Sequence, residues 1–159
     1  MIRLREMAVS AYLRSLIAFL ALPGVIAFAL PVYLGYSSRH ALSASPIGWL
    51  VLGIGLAGLV WCARDFQVKG KGTLAPWMPT EQLVINGLYR YTRNPMYVSV
   101  TAMLAGWAIL FESLALTVYT IVVAIAFHLR VVLGEEPVLA QRYKEQWQEY
   151  VRRVPRWFA

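Results

Sequence analysis

Cysteine and charge are both scarce in this sequence. Cys62 is the single cysteine among 159 residues. One thiol cannot close an internal disulfide, and no cysteine spacing of the metal-binding kind exists. Only 14% of the residues are charged, against 59% hydrophobic. A soluble domain carries about 25% charged residues, so composition argues against one. The mean hydropathy of +0.56 points to the membrane instead. Acidic residues are the rarer sign: 8 Asp and Glu face 15 Lys and Arg, for a net charge of +7. A basic excess can mark a nucleic-acid binder. Here the basic residues flank apolar runs rather than forming a stripe on a polar domain, which excludes that class. A cleavable signal peptide is not expected. The first apolar run is too long for a signal core, and no clear small-residue cleavage site follows it.

Long hydrophobic runs are what the sequence has in abundance. A helix needs about 20 apolar residues to cross the hydrocarbon core. Four stretches are predicted to span: Leu16 to Tyr36, Ile47 to Ala63, Pro95 to Phe111, and Leu114 to Leu133. Only Glu112 and Ser113 separate the last two, so a tight helical hairpin is expected. Pro23 and Pro31 interrupt the first span, and neighbouring helices can absorb such kinks. The predicted fold is therefore an all-α integral membrane protein of about four transmembrane helices, with a cytoplasmic loop and an amphipathic C-terminal tail. Residues 1–159 form one membrane domain, in which 1–66 is a two-helix part and 67–159 a core.

Lys and Arg set the orientation. Arg3, Arg5 and Arg14 precede the first span, and Arg39 alone follows it. Arg64, Lys69, Lys71, Arg90 and Arg93 lie in the long loop. Arg142, Lys144, Arg152, Arg153 and Arg156 lie in the tail, with Arg130 just inside the fourth span. Both termini are accordingly expected in the cytoplasm, at a bacterial inner (plasma) membrane.

One familiar pattern is discounted. "GIGLAG" (Gly53 to Gly58) matches the dinucleotide motif, but it lies inside a span with no strand before it. It reads as a small-residue face for close helix packing, with Gly53 and Ala57 four apart.

Three polar clusters carry the candidate chemistry. "GLYRYTRNPMY" (Gly87 to Tyr97) ends on Asn94 and Pro95, a cap and a first-turn proline that predict a helix start. Tyr89, Tyr91 and Tyr97, with Arg90 and Arg93, could form an interfacial belt. Together with the helix N-terminus they also supply what a purine and a carboxylate need. The second cluster holds Glu135 and Glu136, just past the fourth span. Carboxylates there need water, a partner or a cavity. Arg130 or Arg93 could pair them, or they could wall a site for a cation. His128 lies seven residues before Glu135, on a shared helix face, although a lone histidine there often just packs in the bundle. The third element, "GKGTLAPWMP" (Gly70 to Pro79), is a loop or lid. The tail repeats Leu139, Tyr143, Trp147 and Tyr150 at helical spacing, suited to lying on the membrane or folding back over a pocket.

The ordered set "GKGTLAPW", "NGLYRYTRNPMY", "EEPVL" and "YKEQWQEYVRRVPRW" resembles the isoprenylcysteine carboxyl methyltransferase and phospholipid methyltransferase superfamily. The resemblance covers about the C-terminal 90 residues. It implies a membrane methyltransferase that uses S-adenosylmethionine and a lipophilic or small acceptor, with 67–159 as the catalytic core and no nucleic-acid partner. By position it implies cofactor-binding roles for Tyr89, Tyr91, Arg93, Asn94, Pro95 and Tyr97. Glu135 and Glu136 fall on the family's acidic pair, and Tyr143, Trp147, Tyr150 and Arg153 in its aromatic tail. His128 joins the candidate cofactor contacts, and Arg93, Glu135 and Glu136 are the candidate catalytic residues; no metal is implied. Asn94 stands where many members have His, Leu88 where Pro is usual, and Ser99 and Lys144 where Gly is frequent. Two other readings compete: a sterol-reductase-like protein using NADPH, and a non-catalytic membrane scaffold or lipid-binding subunit.

Overall fold

The computed structural model describes residues 24–37, 42–69 and 83–158. The loop Gly70 to Pro79, the start of the first span, and Arg3, Arg5, Arg14 and Arg39 lie outside the described residues. Among the described residues every regular element is helical. Helix α1 covers Val25–Ser37 and α2 covers Pro46–Lys69; a short 3-10 turn follows at Gly87–Arg90. Helix α3 covers Pro95–Leu110, α4 Leu114–Arg130 and α5 Glu136–Arg153. A π-helical turn, Val131–Glu135, fuses α4 and α5 into one run, Leu114–Arg153. The protein is an all-α membrane protein. Two stretches, Pro46–Asp65 and Leu114–Arg153, are long and apolar enough to span, whereas Val25–Ser37 and Pro95–Leu110 are shorter apolar helices. The first predicted span begins outside the described residues, so Val25–Ser37 is only its described part.

Two prolines explain the two π turns. Pro31 has no N–H, so the carbonyls of Ala27 and Ile26 lose the partner a regular turn would supply. The chain widens into a π turn at Val25–Ala29, where Leu30 N–H reaches back to Val25 O. Trp107 Nε1 donates to Ala27 O at 2.8 Å, and the Tyr119 hydroxyl donates to Ile26 O at 3.3 Å. Side chains of α3 and α4 thus satisfy backbone that hydrocarbon could not. The second π turn directly precedes Glu136 and Pro137 in the same way.

Helices α2 and α3 lie against each other along a seam of small residues. A Cβ on Gly55 would lie 2.7 Å from Ser99 O, and one on Gly106 would lie 2.7 Å from Leu52 N. Gly53, by contrast, faces open space, and Ala57 is exposed. The small-residue face is therefore real but rotated: Gly55 and Gly58 make it, not Gly53 and Ala57. Below the seam Met103, Leu104, Leu110, Phe111 and Leu116 are fully buried and form the core with Leu52 and Trp107. The expected hairpin forms at Glu112 and Ser113. Glu112 takes φ 47, and Ser113 Oγ caps α4 by accepting from Leu116 N at 3.4 Å.

At the other end α5 is broken in mid-course. Lys144 has φ 43 and ψ −112, a backbone geometry that favours glycine. The kink turns Trp147, Tyr150 and Val154 into a small core with Leu83, Leu139 and Tyr143. The tail therefore folds back over the segment that precedes α3.

Candidate active site

The segment that opens the site is set by a glycine. Gly87 has φ +61, and a Cβ there would lie 1.9 Å from Asp65 Oδ2 on α2. Only glycine fits both the angle and the gap. The 3-10 turn that follows drives Tyr89 into a pocket with Cys62 and Val84. Tyr89 is buried within the protein, and burial holds its hydroxyl well above the ordinary tyrosine pKa. Its carbonyl accepts from the Tyr150 hydroxyl at 2.7 Å, tying the turn to α5.

Arg93 lies at the centre. Its side chain is 10% exposed. It donates from Nη1 to Glu136 Oε1 at 2.9 Å, and its guanidinium lies 5.8 Å from the Trp147 ring centre. Its Nε is buried and has no hydrogen-bond partner. Burial pulls the guanidinium pKa below its usual value while Glu136 pulls it back up. Glu136 also binds Arg156, which donates from Nε to Oε1 at 2.9 Å and from Nη2 to Oε2 at 2.7 Å. These bonds raise the Arg156 pKa. Both oxygens of Glu136 are thus occupied by arginine.

Glu135 has different company. Its Oε1 accepts from the Tyr97 hydroxyl and from Arg130 Nε at 2.9 Å. Arg130 Nε also reaches the Tyr97 oxygen at 3.1 Å, and Tyr97 packs its ring on Phe127 at 4.5 Å. The Glu135 side chain is 36% exposed, compared with 15% for Glu136. The two carboxylates are inequivalent: one is boxed in by two arginines, the other is half-exposed.

The chain after α5 crosses this cluster. Arg93 N–H donates to Pro155 O at 3.0 Å. Thr92 Oγ1 and Asn94 Nδ2 both donate to Arg156 O at 3.0 Å. Trp157 Nε1 donates to His128 Nδ1 at 3.1 Å.

The structure thus brings Arg93, Asn94, Tyr97, Glu135 and Glu136 together at the start of α3, where Pro95 is the first residue of the helix. Tyr150 supports the cluster from below. Other candidates are placed elsewhere. Tyr91 is 72% exposed. Arg153 points outward and pairs with Glu149. His128 does not meet Glu135. The π turn between them adds a residue, which rotates later side chains by roughly 100° from a regular helix, and His128 faces Trp157. Asn94 occupies the N-cap position of α3, but its side chain makes no cap bond; its amide holds the tail. Nothing local in the sequence marks Thr92 or Trp157 for the site, and Arg156 enters there only as a tail charge that sets orientation. The available signal was Pro155, which stops α5 and brings the following arginine back across the site.

Residues 44–146 match the family model described as phospholipid methyltransferase. The cobalt-zinc-cadmium resistance protein CzcN of Cupriavidus metallidurans is 32% identical over 142 residues, which cover 84% of this chain and 60% of that protein. The chain therefore spans less than two thirds of the length of that relative. No solved structure matches.

Proposed function

The chain belongs to the phospholipid methyltransferase family, and from that premise we propose that it is a membrane methyltransferase that takes its methyl group from S-adenosylmethionine at the cytoplasmic end of the bundle. The observation that carries this reading is Arg93. A guanidinium this buried, with an unpartnered Nε at a helix N-terminus, suits an incoming anion such as the donor's carboxylate. The N–H groups of the first turn of α3 point the same way. Glu135 and Glu136 supply negative charge where the donor's sulfonium and ammonium need it. Tyr97, half-buried beside Glu135, offers an aromatic face for a purine or a cation.

The cofactor would supply a methyl group on a positive sulfur, which an acceptor displaces in line. The protein's part is positioning and exclusion of water. Arg93, held by Trp147 and Glu136, orients; the folded-back tail shields. A carboxylate acceptor needs no base. For an amine or thiol acceptor, Glu135 is the better base, because both oxygens of Glu136 already hold arginine N–H groups. The acceptor classes in view are a prenylcysteine-type carboxylate, an aminolipid, a small thiol and a hydroxyl. Family membership favours this reading over an NADPH oxidoreductase.

Saturable binding of methyl-labelled S-adenosylmethionine to the full chain in detergent is expected, with label moving to lipid or small molecules in a membrane extract. Binding should fall at least tenfold in Arg93→Gln. Absence of saturable binding, or NADPH binding in its place, would overturn the reading.

A further inference from the structure

We propose that Arg156 is a further donor-site residue and the one that opens and shuts the site: its guanidinium holds Glu136 in the closed state and releases it when the donor arrives. The inference rests on the donor reading above. Its starting point is a conflict. Glu136 accepts three arginine N–H groups, which leaves about one of a carboxylate's four lone-pair sites. It also faces two guanidinium groups, so a cationic donor meets net positive charge there until one arginine gives way.

The surroundings decide which one. Arg93 is 10% exposed, lies against Trp147, and stands two residues before the first residue of α3. Arg156 is 36% exposed and stands on non-helical chain beyond the end of α5. Its attachments are few and local: one bidentate contact, its own carbonyl on Thr92 and Asn94, and the neighbouring Pro155 and Trp157 bonds. These break together if the segment lifts, because they belong to consecutive residues. The closed segment thus places a guanidinium, a planar cation, on the carboxylate assigned to the donor's positive end. Once displaced, the same fork can turn to the donor's carboxylate, which arginine binds bidentately. A ligand shifts such an equilibrium only by binding the two states differently; here the difference is the exchange of one ion pair on Glu136 for another.

The test uses the full chain in detergent with wild type, Arg156→Gln, Arg156→Lys and Trp157→Phe. Hydrogen exchange is read at the Arg93 amide, whose acceptor is Pro155 O. Association and dissociation rates are read with labelled S-adenosylmethionine. In Arg156→Gln the Arg93 amide should exchange at least tenfold faster, and both rates should rise about fivefold or more. Arg156→Lys should fall between that variant and wild type. Trp157→Phe keeps the ion pair and loses only the His128 bond, so it should show the same changes at smaller size, and it carries the test if Arg156→Gln does not fold. Binding with an unchanged association rate overturns the gate and leaves the donor reading standing. Faster dissociation alone makes Arg156 an ordinary ligand contact and also overturns the gate. No donor binding by wild type removes the donor reading and the gate with it.

Discussion

The acidic pair shows how far adjacent residues can diverge. Glu136 is mostly buried and accepts three N–H groups, so removing its charge strands Arg93 in a dry site. Hydrogen bonds to charged groups are each worth about 1.5–3 kcal/mol, and partial exposure screens part of this. Glu136→Gln is therefore expected to cost about 2 kcal/mol, seen as a lower melting temperature in detergent. Glu135→Gln, at a half-open pair, should cost under about 1 kcal/mol while weakening turnover with an amine or thiol acceptor. Equal stability losses would mean that the two carboxylates share one environment, contrary to their exposures of 15% and 36%. Asn94 gives a second contrast at this scale. Its side chain donates to Arg156 O and caps nothing, so Asn94→Ser should destabilise as much as Asn94→Ala. Rescue by Ser, whose oxygen suits a cap, would restore the capping role. The sequence alone offered Arg93 and Arg130 as partners for the acidic pair, since charge near a span must be matched. It could not offer Arg156, because that contact depends on where the chain turns after α5. The cap at Asn94 was a sound local inference from Asn-Pro, overruled by a tertiary hydrogen bond.

Helix starts, the hairpin at Glu112 and Ser113, and the amphipathic tail were all legible as elements, because each depends on neighbours within a few residues. What escaped was register. Two π turns, placed ahead of Pro31 and Pro137, each add a residue to a turn and rotate everything beyond. That is why the seven-residue spacing of His128 and Glu135 misled. The Gly53–Ala57 face failed for a related reason: several small residues lie along α2, and only contact with α3 selects Gly55 and Gly58. Gly55→Ala should consequently destabilise by about 1–3 kcal/mol through overpacking, although alanine is the better helix former. An unchanged or raised melting temperature would show that α2 and α3 are further apart than the seam implies. Lys144 gives the opposite sign. It holds φ 43 where glycine is frequent in the resembling superfamily, and a side chain at positive φ costs roughly 1–2 kcal/mol. Lys144→Gly should raise stability by about 1 kcal/mol; a loss would mean that the kink is not strained.

At the scale of the whole molecule the site and the charge lie at one end. Ser43 N donates to Leu110 O at 2.7 Å, which fixes the loop before α2 at the far end of α3 from Arg93. The hairpin at Glu112 is at that same far end. Among the described residues Arg90, Arg93, Arg130 and Arg156 gather at the site end, while the far end shows Glu112 and no Lys or Arg. On the positive-inside rule the site is expected to face the cytoplasm, the side from which the proposed water-soluble donor would come. The run Leu114–Arg153 supports the same arrangement. At 1.5 Å per residue its 40 residues would measure roughly 60 Å if straight, about twice the hydrocarbon thickness. Half of it must leave the bilayer, and the half that leaves is α5, which carries the charges and bends back at Lys144. A periplasm-active reporter fused after Phe158 should therefore stay silent, and one inserted near Ser43 should be active. Activity after Phe158 with silence at Ser43 would place the Arg93 cluster on the outer face, away from any cytosolic donor, and the proposed chemistry would fall with the topology.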